Sequence, residues 1–395
     1  MNLSPKDLMV FIDMPEAFYN NELFKATSKR NLNEVFAPFI FLKERLAEKG
    51  IIINTADYFL KGILSARINI YVSIENITNY KKLTKLSDVY LQSFYISEPP
   101  AVDPLPYYEI SHLTKCFDRV YVPNTQGVGY ERYFSNQPNL RKFYIPQIKD
   151  GIIEQLWSNK NRGFLVMINA NKTKYPYLRL SRWHNPSGLH ISLNRSPGLK
   201  SNELYSERIR AILALKNLGN IDLYGYGWDT SLSQILRNMP SIPLSFPSLY
   251  LKNRKAIKAI YKGSVKSKHE TLSQYKFNIC FENMVMPGWI TEKIFDCFFV
   301  GTIPIFLGAP DVDRYIPREC FIDMRDFNDY GELYTYLSAM SDEDIQSFRE
   351  AGREFLSSEQ YHPFTKEHFA EQFEIDFMQT LKANGINLTS LQMEV

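Results

Sequence analysis

Short apolar runs alternate with segments of helical periodicity along most of this 395-residue chain. That alternation is what most limits the fold. Strands separated by helices pair in parallel, and the helices then cover both faces of the sheet. In the first half, DLMVFI (Asp7–Ile12) reads as a strand. A helix follows from about Pro38, a residue suited to a first helical turn. Phe39, Leu42 and Leu46 recur at helical spacing, and Gly50 supplies a stop signal. IIINTA (Ile51–Ala56) is the next strand, with further strands at Ile68–Val72, Tyr90–Ile96 and Arg119–Val122. The segment Ser135–Asn161 carries Pro138, Pro146 and polar residues, which sets a domain boundary near Ser158.

The second half opens with GFLVMINANK (Gly163–Lys172), a strand leading to Asn169 and Asn171. A helix over Glu203–Asn217 precedes a strand at Ile221–Tyr224, with Gly225 and Gly227 after it. Phe277–Phe281 and Ile303–Leu307 read as strands around a helix over Thr291–Val300. Ser341 is placed to cap a further helix, and the tail is helical. The expected architecture is α/β: an N-terminal domain (residues 1–157), a C-terminal domain (158–355) and a helical tail (356–395) placed to pack back on the first domain. Ligands of such sheets bind beyond the carboxyl ends of strands.

Composition excludes several classes. Apolar residues make up 45% of the chain, enough for a sizeable core, and a net charge of +3 gives no case for nucleic-acid binding. The 14% aromatic content serves a core as readily as a sugar site. Cys116, Cys280, Cys297 and Cys320 lack C-x-x-C spacing; a buried, reduced set is expected, and zinc is not. The N-terminal stretch lacks a basic segment followed by an apolar one, and no run is long enough to span a bilayer. A cytoplasmic location is expected, at most peripheral at the inner face of a membrane. N-x-S/T triplets at Asn2, Asn76, Asn171, Asn194 and Asn387 carry little weight without a leader.

The chemistry concentrates between Phe281 and Gly308. A strand ends at Glu282-Asn283, a Pro-Gly-Trp break follows, and Thr291-Glu292-Lys293 opens a helix. The first turn of a helix exposes backbone N–H groups and the positive end of its dipole, which suits phosphate. Lys293 there is slightly unfavourable for the helix alone, and an anionic ligand reverses that sign. Glu292 can accept hydrogen bonds from ribose or sugar hydroxyls. Thr291 is placed to cap.

The string HETLSQYKFNICFENMVMPGWITEKIFDCFFVGTIPIFLGAP (His269–Pro310) resembles the donor-site signature of the family-ten α-1,3/1,4-fucosyltransferases, in their bacterial, inverting form. The resemblance implies a GT-B-like fold, two Rossmann-type domains facing a cleft. It implies transfer of L-fucose from GDP-β-L-fucose to a hydroxyl of a glycan acceptor, in surface polysaccharide or lipopolysaccharide synthesis, with no metal or other cofactor. Donor-binding residues carried over are Glu282, Asn283, Trp289, Thr291, Glu292 and Lys293. Arg208, in SERIRAILALKNLGNIDLYG, matches the family's phosphate-binding arginine, with Arg210 as its rival. Asn169 and Asn171 match a turn under the nucleotide. YISEPPAVDPLPYY (Tyr95–Tyr108) resembles the loop bearing the family's proposed base; Glu98 is the matching position and Asp103 the fallback.

The chain departs from the pattern at Trp289, where the family has Tyr, and at Met284, where it often has Ser. The C-terminal heptad repeats of some bacterial members are absent. Trp289 keeps open a transferase of another GDP- or nucleotide-sugar. An inactive sugar-binding homologue would lack the base or the cations, and candidates for all three stand here. There is no P-loop. Asp311-Val312-Asp313 follows Gly-Ala-Pro, where capping a surface helix explains it better than a metal. His184 and His190 lie in a polar loop without metal-ligand spacing, and His362 and His368 sit in the helical tail; all four suit structural or exposed roles better than catalysis, and Trp183 and Trp228 suit packing as well as a cleft.

Overall fold

A parallel strand covered on both faces needs an unbroken run of buried side chains, and Ile68–Ile74 supplies one: all seven of its residues are buried. It is a central strand of the first of two sheets in the computed structural model, which describes residues 2–31, 34–125, 137–171, 202–219, 221–229 and 249–388. Trp183, His184, His190 and Asn194 lie outside the described residues. The chain divides into two compact units, one of Met1–Asp150, Pro287–Ile290 and Ser357–Val395, the other of Gly151–Met286 and Thr291–Leu356.

The first unit holds six parallel strands: β1 (Leu8–Asp13), β2 (Ile52–Thr55), β3 (Ile68–Ile74), β4 (Val89–Tyr95), β5 (Arg119–Val122) and β6 (Leu140–Lys142). Their spatial order is β2-β1-β3-β4-β5-β6. The direction of winding therefore reverses between β1 and β3, the place where doubly wound sheets bind ligands. Helix Ala37–Glu48 starts with Pro38 in its first turn and buries Leu42 and Leu46. Gly50 follows in the left-handed region, φ +74°, as a helix stop requires.

Helix Lys366–Ala383 also belongs to this unit. Phe369, Phe373, Phe377 and Leu381 join its core with Leu42 and Leu46. The helix carries two buried acids, Glu374 and Asp376, and Asp376 is the more deeply placed. The Asp376 carboxylate lies 3.0 Å from Arg119 Nε and accepts hydrogen bonds from Tyr121 Oη at 2.7 Å and Ser93 Oγ at 3.2 Å. Nearby, Arg45 forms a two-pronged pair with Glu374, at 2.9 and 3.0 Å.

The second unit repeats the plan with β7 (Gly163–Ile168), β8 (Ile221–Tyr224), β9 (Tyr261–Gly263), β10 (Tyr275–Phe281), β11 (Ile303–Leu307) and β12 (Ile322–Asp323). The order is β9-β8-β7-β10-β11-β12, all parallel, with the reversal between β7 and β10. This is the strand order of dinucleotide-binding sheets. Helix Glu292–Val300 buries nearly its whole length and ends at Gly301, φ +67°. Ser341 and Asp344 exchange capping bonds at the start of helix Asp342–Leu356, Asp344 N donating to Ser341 Oγ at 3.1 Å. The four cysteines are unpaired. Among the described residues no helix is long and apolar enough to cross a membrane.

Asp376→Ala removes the acceptor shared by Arg119, Tyr121 and Ser93 and leaves a largely buried guanidinium without its partner. The expected loss is roughly 3–5 kcal/mol, seen as a lower urea midpoint for the transition that melts helix Lys366–Ala383. A midpoint within error of wild type would show that this network does not hold the helix.

Candidate functional site

β10 enters from the core, and Glu282 continues its ladder by donating its N–H to Leu307 O at 2.8 Å. The carboxylate of Glu282 is fully buried. A charge so placed must be paired and hydrogen-bonded. Thr291 supplies its N–H at 2.9 Å and its hydroxyl at 2.8 Å, and Lys293 Nζ donates to the other oxygen at 2.9 Å. Gly308 makes the room: a Cβ there would stand 2.6 Å from Glu282 Cγ.

This arrangement corrects the expected role of Thr291. It occupies the N-cap position of helix Glu292–Val300, but its hydroxyl makes no capping bond. It serves Glu282 instead. Buried Glu282 and Thr291 are therefore supports of Lys293 rather than surfaces open to a ligand. Lys293 keeps 13% of its side chain exposed. Burial works against its ammonium, but the Glu282 and Glu292 carboxylates override it and hold the group above the usual lysine range.

Glu292 is the open member, its side chain 53% exposed. Its carboxylate lies 3.6 Å from Lys293 Nζ and 3.8 Å from Lys268 Nζ. Desolvation raises its pKa, but the two ammonium groups prevail and bring it down to about 2. It is a carboxylate at any physiological pH, acceptor only. Lys268 is itself anchored. Asp296 takes its ammonium at 2.6 Å and pairs with His269 Nε2 at 2.8 Å. Neither Lys268 nor Asp296 was marked by sequence reasoning. The signal was the helical spacing that puts Asp296 one turn after Glu292 on the same helix.

Arg208 reaches the same strand end from helix Tyr205–Leu218. Its Nη2 donates to Phe281 O at 2.6 Å and to Asn283 Oδ1 at 3.1 Å. Arg208 and Lys293 thus grip the consecutive residues Phe281 to Asn283, and the charge of Arg208 is felt at Lys293. Arg208 is buried, and its Nε has no partner among the described residues. Burial pushes its pKa down. Arg210 is turned outward, 61% exposed and paired with Glu207 at 2.6 Å.

Asn169 and Asn171 follow β7, across the reversal point from Glu282. Asn169 O accepts Trp228 Nε1 at 2.6 Å. Gly225, φ +126°, packs so closely that a Cβ would stand 2.1 Å from that carbonyl. Asn171 Nδ2 donates to Gly227 O at 3.1 Å, so this carboxamide braces the turn after β8. The second unit thereby gathers Asn169, Arg208, Asn283, Glu292 and Lys293 around the carboxyl ends of β7 and β10. The Asp311–Asp313 triplet forms a short turn in which Asp311 makes no capping bond. The grouping of possible metal donors among the described residues is His362, His368 and Glu371, in the first unit.

Trp289 falls elsewhere. With Pro287, Gly288 and Ile290 it belongs to the first unit, and it is 2% exposed. Lys142 Nζ holds that loop, donating to Pro123 O at 2.7 Å and Gly288 O at 2.6 Å. The indole N–H is buried without a partner among the described residues. The boundary between the two units thus falls between Ile290 and Thr291, within the motif itself.

In the first unit Glu98 lies in the turn after β4, half-buried. Its N–H donates to Glu75 Oε1 at 2.6 Å, and its carbonyl accepts Tyr107 Oη at 3.0 Å. Asp103 Oδ1 accepts Leu105 N at 3.2 Å, at the start of the next helix. Glu75 and Asp13, at the ends of β3 and β1, were not marked from sequence. Asp13 is buried and accepts from Tyr19, Tyr71, Asn76 and Asn79.

Residues 199–352 match a family model described as glycosyltransferase family 10 (fucosyltransferase), C-terminal part. The chain is 46% identical over 74 residues to an alpha-(1,3)-fucosyltransferase of Helicobacter pylori, a stretch covering 19% of this chain and 16% of that protein. It is 41% identical over 69 residues to mouse 4-galactosyl-N-acetylglucosaminide 3-alpha-L-fucosyltransferase 9, covering 17% of this chain and 19% of that one. The matched stretch is thus under a fifth of either relative. Among solved structures, a glycosyltransferase of Rickettsia africae superposes with a TM-score of 0.52 at 10% identity, covering 95% of this chain and 99% of that one. HepE of Anabaena, solved with UDP, gives 0.51 at 10%, covering 94% and 99%. These likenesses establish the fold, two parallel-sheet α/β units of GT-B type.

Gly308→Ala is expected to push the Glu282 side chain off Thr291 and Lys293. Overpacking of this kind costs roughly 1–3 kcal/mol, read as a lower melting temperature. An unchanged melting temperature would mean that Glu282 has slack which the geometry denies it.

Proposed function

We propose, for a chain whose residues 199–352 match the C-terminal part of glycosyltransferase family 10, that it transfers L-fucose from GDP-β-L-fucose to a glycan hydroxyl. The observation that carries the reading is Lys293, held charged by buried Glu282 at the carboxyl end of β10. A departing nucleoside diphosphate gains negative charge as the glycosidic bond breaks. A cation fixed beforehand stabilises that charge more in the transition state than in the ground state. Lys293 fills this role as a point charge. Arg208 supports it, either by turning its unpaired Nε–H toward phosphate or by holding Asn283. Glu292, ionised and exposed, accepts hydroxyls of the ribose or the sugar. Asn169 and Asn171 shape the turn beneath the nucleotide.

The displacement inverts the anomeric carbon, which passes through an oxocarbenium-like state. One base suffices, to take the proton of the attacking hydroxyl, and Glu98 is that base. Fixed cations do the work of a divalent ion, so the reaction proceeds without metal. The linkage is α-1,3, as in the name of the Helicobacter relative, with α-1,4 the other outcome of product analysis. The acceptor class we infer from the resemblance to bacterial members is a surface polysaccharide or lipopolysaccharide.

Lys293→Ala is expected to weaken GDP binding at least tenfold and to lower kcat about 10²–10³-fold, with Lys293→Arg retaining part of both. Calorimetry and initial rates measure this, with circular dichroism to check the fold. Wild-type GDP affinity in the folded alanine variant would remove Lys293 from the donor site. Glu98→Gln should bind GDP normally and lose about 10²–10⁴ in kcat; full turnover would move the base elsewhere. EDTA should leave the wild-type rate unchanged, and a lost rate restored by a divalent ion would overturn the metal-free step.

A further inference from the structure

We propose that Glu75 is the positioning residue for Glu98, holding the turn that carries the base through a carboxyl group at the reversal point of the first sheet. The inference rests on the reading of Glu98 given above and adds to it a residue outside every motif.

Glu75 directly follows β3, where the winding of the first sheet reverses relative to β1. Its backbone is left-handed, φ +60°, a conformation that L side chains adopt at a cost. Two sets of bonds keep it there. Its N–H donates to Tyr95 O at 3.0 Å, at the end of β4. Its Oε1 accepts from Ser97 N, from Ser97 Oγ at 2.9 Å and from Glu98 N at 2.6 Å. One oxygen thus fixes two consecutive peptide N–H groups, and the second belongs to Glu98 itself. Tyr107 Oη, donating to Glu98 O at 3.0 Å, fixes the other side of the same residue. The main chain of Glu98 is clamped fore and aft.

The other oxygen of Glu75 explains why the residue is more than a brace. Oε2 is buried with no partner among the described residues. The charged groups facing it come from the 97–104 turn, and both are acidic, Glu98 and Asp103. β4 contributes the Tyr95 carbonyl, and the helix after the turn contributes Tyr107. Burial first, then these two carboxylates, push the Glu75 carboxyl up to about 8. Near neutral pH the group is therefore mostly protonated. A neutral carboxyl still accepts three hydrogen bonds through Oε1, and it adds no charge beside the base. Ionisation above pH 8 tightens the N–H bonds to Oε1 but sets a third carboxylate against Glu98 and Asp103, which repels the Glu98 side chain from its place.

The test compares Glu75→Ala, Glu75→Gln and Glu98→Gln in the full chain. Glu75→Ala should lose about tenfold to a hundredfold in kcat, the scale of a misplaced catalytic group, with KM for GDP-fucose within twofold of wild type. Glu75→Gln, neutral at every pH and still offering an amide oxygen, should restore kcat at pH 7. Wild-type kcat should fall through pH 8, and the glutamine variant should lack that alkaline limb. Amide exchange followed by mass spectrometry on peptides covering residues 96–100 should quicken in the alanine variant and stay slow in the glutamine variant. Wild-type kcat and exchange in Glu75→Ala, or an alkaline limb kept in Glu75→Gln, would overturn the assignment. Should Glu75→Ala fail to fold, the glutamine profile decides alone. Turnover surviving in Glu98→Gln would instead sink the base assignment, and the exchange data would still report whether Glu75 holds the turn.

Discussion

A carboxylate with no access to water has to find its compensation within the protein, and in the second unit Glu282 finds it in three groups from one short segment. Thr291 and Lys293 come to it, and so the start of helix Glu292–Val300 is fixed against the end of β10. The rest of the site follows from that anchor. Lys293 cannot swing away without stranding a buried charge. Its ammonium is already paired, with 13% of the side chain left exposed. Glu292, the next residue back, is left exposed between two ammonium groups and stays ionised. Such pairs add little to stability beyond what a hydrophobic replacement would give. In the proposed reaction they hold a cation in one place before a ligand arrives, which is where electrostatic catalysis gains its advantage.

The two sheets use the same topological device for different chemistry. In the second unit the reversal between β7 and β10 brings together amide, guanidinium and ammonium groups, a setting for an anion. In the first unit the reversal between β1 and β3 brings together acids: Asp13 among neutral hydroxyl and amide donors, and Glu75 beneath the Glu98 turn. Donors of positive charge gather in one unit and proton acceptors in the other. The long side chains of Arg208 and Lys293 are themselves pinned by bonds to the end of β10.

Much of this was legible in the sequence. Strands buried on both faces announce themselves as apolar runs, and Arg119–Val122, Ile221–Tyr224 and Ile303–Leu307 lie where the pattern put them. Pro38, Gly50 and Ser341 punctuate helices for reasons local to the backbone. Lys293 and Arg208 were readable because a motif fixes their spacing. What was hidden depended on distant partners. Thr291 has the residue type and position of a cap, but a buried carboxylate eight residues of loop away outbids the helix for its hydroxyl. Trp289 sits two residues from Thr291 and yet belongs to the first unit, where the neighbouring Gly288 is held by Lys142 through bonds no local pattern reveals. Glu75 has no signature at all: a left-handed glutamate between Ile74 and Asn76 acquires meaning only when the β4 turn lies over it.

The central claim is that a preset ammonium meets a diphosphate at the end of β10. Titrating the wild-type protein with GDP and with guanosine, at low and at moderate salt, tests it most directly. The account predicts that GDP binds at least about tenfold more tightly than guanosine and that added salt narrows the gap, since the difference is electrostatic. Equal affinities for the two ligands would contradict it.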